Sequence, residues 1–408
     1  MEHYFLELIV NMDYKESLKY LDTSNSSAKD TISKVKPISD ESFLAASWDN
    51  CLRLYDIRDG IKSVIDTKCP ILDVGASSSN SSAAAVVCLN GKLHLIDLET
   101  ERLVSTFRQS HASRNTVTYL SPSPILLTTS WNGAIHLIDP RSNQVFSLFN
   151  PLQLASSHTT TTTTTHKPFA VTTTNNRIII ATSDNNIDIY TFSSEDYIKR
   201  GILSFTKPNQ PRPTLSQVRS ITTSPDSSHY AYTTVDGRVA VEYIKSSQKH
   251  NNFSFRCHSR IQGLKELIFP VNTIAFNSHF VGHSINNNNG ATTFATGGSD
   301  GVVNIWDSGS KKKLASQKFS EPISSVAFLT GGNYNALVVA ASYGFDRGPL
   351  TCKKKTVSGT EEGGEGGGGG EWRKQGRGSN GVYVKFLTDA QIKPKDTTAA
   401  ATVSSSQR

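Results

Sequence analysis

Charge, methionine and long apolar runs are all in short supply in this 408-residue chain. Only 19 % of residues are charged and Met occurs twice, so the make-up and periodicity of a helical bundle are missing. No apolar run approaches the ~18 residues of a membrane-spanning helix, and no membrane association is expected. Glu2 and Glu7, set among apolar neighbours, do not read as part of a signal peptide. The five cysteines, at 51, 69, 88, 257 and 352, are odd in number and scattered, with no Cys-x-x-Cys. Reduced thiols in the cytosol or nucleus are the plain expectation, and a zinc site is not. Phosphate-loop and His-Glu-x-x-His motifs are absent, and the 11 histidines show no metal-ligand spacing. Neither a metal nor a cofactor is expected.

The net charge of +7 and pI near 9.0 favour acidic or phosphorylated partners over basic ones. Nucleic acid fits the sign. However, the chain has no Lys/Arg-dense helix and no aromatic-interleaved basic strand, so nucleic acid is not an expected partner.

What the chain does contain is a repeat. Residues 293–307 read as a short apolar strand, a two-residue turn at Asp300-Gly301 with positive φ values, and the strand Val302-Val303-Asn304-Ile305-Trp306 ended by Asp307. Six more segments share this pattern, with turns at Asp49-Asn50, Asn90-Gly91, Asn132-Gly133, Asn185-Asn186, Asp236-Gly237 and Asn380-Gly381. The second turn residues fall at 50, 91, 133, 186, 237, 301 and 381, so the first spacings are 41 and 42. A period near 40 with a strand-final Trp-Asp marks four-stranded propeller blades. The expected fold is therefore all-β: a seven-bladed β-propeller of the WD-repeat type.

A further strand candidate precedes most hairpins, at 71–77, 115–120, 169–174, 217–222, 271–276 and 323–328. Outer strands follow at 103–108, 197–205, 253–258 and 313–319. Nothing after Phe386 supplies an outer strand for blade seven, so residues 4–10 are expected to close the ring beside 382–387. Residues 1–395 then form one domain, with loops at 22–29, 159–165 and 286–290, a mobile glycine-rich insertion at 346–378 and a disordered tail at 396–408.

Catalytic motifs fail on context. Gly297-Gly298-Ser299-Asp300-Gly301 matches the nucleophile elbow Gly-x-Ser-x-Gly, but a strand follows where that chemistry needs a helix. Residues 376–381 match Gly-x-Gly-x-x-Gly, again before a strand, so no helix N-terminus faces a phosphate. Trp306 is expected in a blade core. Trp48 and Trp131 sit just before hairpin turns, where an aromatic can meet a partner or simply rest on the rim. Arg238 follows one turn and Arg256 ends the outer strand of the same blade, so their guanidiniums can converge on one face. Equally, each can be an ordinary surface arginine paired with a carboxylate.

Three stretches carry a resemblance: Val235-Asp236-Gly237-Arg238-Val239-Ala240-Val241-Glu242-Tyr243, Phe253-Ser254-Phe255-Arg256-Cys257-His258, and residues 269–276 running into the opening hairpin. Together with the ending at 381–395 they resemble the mitotic-checkpoint WD-repeat family, the third of the budding-uninhibited-by-benzimidazole group. They also resemble its sister, the RNA-export factors of the Rae/Gle type. Val303-Asn304-Ile305-Trp306-Asp307 and the ending favour the checkpoint family.

The resemblance implies a propeller without catalysis, nuclear and at kinetochores in mitosis. Its partners would be a checkpoint kinase or paralogue, through an acidic GLEBS-type motif, and a kinetochore scaffold with phosphorylated Met-Glu-Leu-Thr repeats. Ubiquitin and the anaphase-promoting machinery are further implied partners. Trp48, Arg238 and Arg256 match partner-binding positions, and Trp131 and His258 are further candidates for partner contact. Ser259 stands where the family has a basic residue, and Arg260 is the candidate to replace that charge. A nucleoporin-docking export factor is the close alternative. A ubiquitin-ligase substrate receptor is the distant one, disfavoured because no adaptor-binding helical domain is present.

Overall fold

A computed structural model describes residues 18–22, 26–77, 82–108, 113–120, 124–141, 144–149, 166–174, 176–192, 205–206, 212–214, 216–278, 292–331, 334–343 and 380–392. They form seven antiparallel sheets arranged as the blades of a β-propeller. From the inside outwards, blade one holds Ile32–Pro37, Ser42–Ser47, Cys51–Asp56 and Gly60–Asp66. Blade two holds Ile71–Ala76, Ala83–Cys88, Leu93–Asp97 and Arg102–Phe107. Blade three holds Arg114–Tyr119, Leu126–Ser130, Ile135–Asp139 and Gln144–Phe149. Blades five and six begin at Val218–Thr223 and Val271–Phe276 and end at Phe253–Arg256 and Lys312–Lys318.

Blade four departs from expectation. After Pro168–Thr173, Arg177–Thr182 and Asn186–Phe192, its outer edge is two short pieces, Phe205–Thr206 and Arg212–Pro213, both paired to the third strand. Of the expected outer strand at 197–205 only Phe205 is described, and 193–204 lie outside the described residues. The loops at 159–165, 286–290 and 346–378 and the tail at 396–408 also lie outside them.

The repeated turns are loops of three or four residues with one positive φ, not two. Asn50, Gly91, Gly133, Asn185, Gly237 and Gly301 take that conformation, with φ between 59° and 89°. The residue before the positive-φ position matters as much. Asp49, Asn90, Asn132 and Asp300 each accept, through a side-chain oxygen, the backbone N–H two residues on, at 3.0–3.1 Å. That is the turn-forming habit of Asx side chains. Two positions correct the sequence reading. In blade four the positive φ lies at Asn185, and Asn186 already begins a strand. In blade seven Asn380-Gly381 is no turn, because Gly381 starts a strand and pairs with Ala341.

Ring closure is also corrected in place. Blade seven runs Ile323–Gly331, Tyr334–Ala341, Gly381–Leu387 and, outermost, Leu18–Tyr20. The first and last segments do pair, but the closing strand is 18–20, and residues 4–10 lie outside the described residues. The segment that follows is anchored rather than a tolerated loop. Leu21 N–H donates to Val382 O at 3.0 Å and Val382 N–H donates to Asp22 Oδ2 at 3.1 Å, while the Tyr55 hydroxyl donates to the other Asp22 oxygen. Asp22 thereby ties blade seven to blade one.

There is no single core. Seven apolar clusters form, one at each interface between neighbouring blades, closing with blade seven against blade one. Period-two alternation produces this, since each strand sends successive side chains to opposite sheet faces and hence to different interfaces. Ala45 packs towards blade seven, for instance, and Leu44 and Ala46 towards blade two. A short helix at Asp389–Ile392, which the sequence reading missed, adds the fully buried Ile392 to the interface of blades six and seven.

Three outcomes follow from closure and burial. Asp22→Ala leaves the Tyr55 hydroxyl and Val382 N–H unpaired in a buried site, which should cost about 2 kcal/mol in denaturant unfolding. Removing residues 1–22 should lower Tm steeply, whereas removing 1–10 alone should leave it nearly unchanged. Equal melting of the two truncations would refute closure by 18–20. His229 is completely buried between blades five and six, and burial pushes it down from 6.5 to about 4. Its ring is neutral in the fold and charges first in the unfolded chain. Stability should therefore be fully present above pH 6.5 and decline by up to about 3 kcal/mol as the pH falls towards 4. Urea midpoints at pH 7 and 4.5 should show this loss in the parent and much less of it in His229→Gln.

Candidate functional site

In each blade the turn between second and third strands opens on the same face as the connection leaving the outer strand. All six residues picked from the sequence belong to these segments of blades one, three and five. Trp48 and Trp131 are 41 % and 44 % exposed. Their backbones are clamped all the same: Trp48 N–H donates to Thr31 O at 2.9 Å and Trp131 N–H to Ser113 O at 3.1 Å. Each strand entering a blade therefore fixes the Trp of that blade's turn, while the indole stays in solvent.

Beneath Trp48 lies a buried ion pair. The Arg53 guanidinium forks onto Asp49, with Nη1 to Oδ1 at 3.0 Å and Nη2 to Oδ2 at 2.6 Å. Burial works against the Asp49 charge. The Arg53 fork and the N–H groups of Lys29 and Cys51 nevertheless hold its carboxyl below the usual range. Arg53 also donates to the carbonyls of Ser26 and Ser27, so this pair fastens the chain entering blade one to the Trp48 turn.

Arg238 and Arg256 do meet: they are direct cross-strand partners in blade five. Two guanidiniums opposite each other repel, and each is held by its own carboxylate. Arg238 Nε lies 3.2 Å from Asp236, and Arg256 Nη1 lies 2.8 Å from Glu266 Oε2. Arg256 Nε is buried without a hydrogen-bond partner among the described residues. Glu266 belongs to an element absent from the sequence reading, a hairpin of Ser259–Gln262 and Lys265–Ile268 inserted between blades five and six. Its signal was the Gly263-Leu264 step between two four-residue runs, and Gly263 indeed has φ 61°.

His258, unlike the two tryptophans, is not exposed. It is 1 % exposed and both ring nitrogens are engaged, Nδ1 with Asp300 at 2.9 Å and Nε2 with Thr296 Oγ1 at 3.0 Å. Trp306 Nε1–H donates to the same Thr296 oxygen at 3.0 Å. A carboxylate only accepts, so the Nδ1 nitrogen carries the proton, and the side chains from Trp306 to Asp300 form one hydrogen-bonded chain. This chain fixes the end of blade five to the turn of blade six. It also explains Gly298, where a Cβ would lie 2.4 Å from the His258 ring. Trp306 lies in the core of that interface, as expected.

Arg260 stays available. Its guanidinium sits over the Phe269 ring, 5.9 Å from the centroid, and lines a cleft of about 780 Å³ between the inserted hairpin and the outer strand of blade six. Lys313 and Lys318 line the same cleft with Leu267, Phe269 and Phe319. Ser259, by contrast, donates a hydrogen bond to Glu266. Cys257 is also at the cleft, and burial pushes its thiol up to about 12, which disfavours the thiolate. Among the described residues no group of three His, Cys, Asp or Glu is placed to hold a metal ion, and no helix is long and apolar enough to cross a membrane.

Residues 269–307 match the family model "WD domain, G-beta repeat". Over 310 residues the chain is 29 % identical to "Mitotic checkpoint protein bub3" of Dictyostelium discoideum, covering 75 % of this chain and 83 % of that one. "Mitotic checkpoint protein BUB3.1" of Arabidopsis thaliana is 27 % identical over 77 % of this chain and 84 % of its own. "Poly(A)+ RNA export protein" of Schizosaccharomyces pombe is 26 % identical over 71 % of this chain and 74 % of its own. Both groups named by the resemblance are therefore found among the relatives. In three dimensions the chain superposes on "Structure of U3-55K" with a TM-score of 0.62 at 14 % identity, covering 91 % of this chain and 98 % of that one, a likeness of fold alone.

His258 supplies a direct check on the site's scaffold. His258→Ala leaves Asp300 and Thr296 without their shared partner and should cost about 2–3 kcal/mol in denaturant unfolding. Unchanged melting would mean that the chain from Trp306 to Asp300 contributes nothing to the docking of blades five and six.

Proposed function

We propose that this chain is a non-catalytic adaptor of the spindle assembly checkpoint, acting in the nucleus and at mitotic kinetochores. It binds checkpoint kinases or their paralogues through an acidic GLEBS-type segment. It also reads phosphorylated Met-Glu-Leu-Thr repeats on a kinetochore scaffold, and so brings kinase and kinetochore together. The checkpoint relatives over three quarters of the chain support the role. The observation that carries the binding mode is the cross-strand pair Arg238 and Arg256 beside a cleft lined by Arg260, Lys313 and Lys318.

Arg presents a planar fork that matches a carboxylate or phosphate bidentately. In the free protein Glu266 occupies one edge of Arg256. A phosphate of higher charge competes for that edge, and Arg260 in the cleft provides the charge that Ser259 lacks. Arg238 is the group for acidic residues of the kinase segment, with Trp48 and Trp131 offering exposed aromatic surface on the same face. His258 acts only through the position of the strand end that carries Arg256. Contacts with ubiquitin and the anaphase-promoting machinery are part of the same reading. The export relative favours a second reading, docking on a nucleoporin. Localisation in mitosis separates the two, kinetochore dots against nuclear rim.

Arg256→Ala should weaken a phosphorylated Met-Glu-Leu-Thr peptide by about 2 kcal/mol, roughly thirtyfold in Kd, and Arg256→Lys should recover part of it. Calorimetric titration with phosphorylated and unphosphorylated peptide, checked against melting curves, decides the matter. A folded alanine variant that keeps the parent's preference for phosphate would show that the phosphate is read elsewhere.

A further inference from the structure

The seven innermost strands contain one carboxylate, Asp73, against four cations, Lys34, Lys36, Arg114 and Arg219. Two of the cations are accounted for. Arg114 is buried and donates to the carbonyls of Gly91 and Phe107, and Arg219 donates to Asn272 Oδ1 at 2.8 Å. The two lysines are not. They alternate with Val35 on the inner strand of blade one, and Val35 packs in the cluster shared with blade seven. With a period of two, Lys34 and Lys36 therefore both face blade two, where Asp73 stands on the neighbouring inner strand.

Asp73 attracts both lysines through space but pairs directly with neither. Its Oδ2 accepts the Val117 N–H of blade three at 2.9 Å, and among the described residues neither lysine forms an ion pair or hydrogen bond. Burial, then the Lys34 charge, pulls Lys36 below its usual proton affinity, and burial raises Asp73. A desolvated Lys36 beside a like charge, with no direct ion pair, is costly, and a bound countercharge offsets that cost.

We propose that the wall of the central channel at blades one and two is an anion site, in which Lys34 and Lys36 together hold a phosphate-type oxyanion. Two ammonium groups two residues apart on one strand face offer up to six N–H donors to the oxygens of one tetrahedral anion. The site is independent of the rim arginines, being formed by different blades and by the innermost strands. Free phosphate and a phosphorylated small molecule share this chemistry, and inorganic phosphate and inositol hexakisphosphate serve as probes for the two.

The test uses the full chain at constant ionic strength, with sodium chloride as the matched control. In the parent, Tm should rise with the logarithm of anion concentration, because a ligand of the native state alone stabilises it. The rise should shrink in Lys36→Met and vanish in the double variant Lys34→Met/Lys36→Met. Without anion, Lys36→Met should melt above the parent, since an unpartnered desolvated charge has gone and its apolar stem remains. Asp73→Asn keeps an acceptor for Val117 and should strengthen the response, which keeps the proposal open to refutation if the double variant fails to fold. Whichever probe produces a response lost with the lysines identifies the source. A parent that responds to neither probe, or a response equal in parent and double variant, overturns the proposal.

Discussion

Each innermost strand has a hydrogen-bonding partner on one side only, and seven such edges meet around a narrow channel. Unpaired backbone groups there would cost free energy at every blade. The chain answers with short polar side chains borrowed from a neighbouring blade. Val35 N–H donates to Ser325 Oγ and Val326 N–H to Thr273 Oγ1, both at 3.1 Å, as Val117 N–H does to Asp73. Carbonyls are met in the same way, Ile71 O by Ser33, Tyr119 O by Thr173 and Pro168 O by Asn115. Ser33, Thr173, Thr273 and Ser325 thus serve this inner lattice. It also explains why blades of dissimilar sequence keep one geometry.

Much of the fold was legible because the repeat is enforced locally. An Asx side chain and a positive-φ residue make each turn, and the turn sets the register of the strands beside it. Where the pattern misled, the reason is specific. Asn380-Gly381 has the composition of a turn, yet the glycine is needed for space: a Cβ at Gly381 would lie 2.6 Å from the Tyr20 ring. Glycine there marks the close approach of the closing strand. That strand, Leu18–Tyr20, has only three residues and no alternation to announce it, whereas the apolar run at 4–10 looked the better candidate. An outer strand needs little side-chain burial, so its pattern is weak by nature.

The candidate site divides along the same line. Arg238 and Arg256 were readable because one begins the third strand and the other ends the fourth, and an antiparallel pair places those ends opposite each other. The depth of His258, two residues beyond Arg256, was not legible, because motif adjacency says nothing about depth. Its ring turns inward over Gly298, the residue that makes room for it. The inserted hairpin was overlooked because the reading sought four strands per blade and found them, leaving no place for a fifth pair. Yet that hairpin supplies Glu266 and Arg260, and so decides which cation is occupied and which is open.

Charge is distributed as unevenly as structure. From residue 243 to 265 and again from 308 to 320 the chain has no carboxylate. Within those stretches lie Lys245, Lys249, Arg256, Arg260 and Lys265 of blade five and its insertion, and Lys311, Lys312, Lys313 and Lys318 of blade six. Much of the net charge of +7 is thereby concentrated on the flank that contains the cleft. At physiological ionic strength charges interact over about 8 Å, so neighbouring cations on adjacent strands act together while those of distant blades are screened. An acidic ligand is consequently drawn to the junction of blades five and six before any specific contact forms. The ring can sustain such a one-sided field because its own cohesion rests on apolar interfaces and neutral hydroxyl bonds, which the flank's repulsion leaves intact.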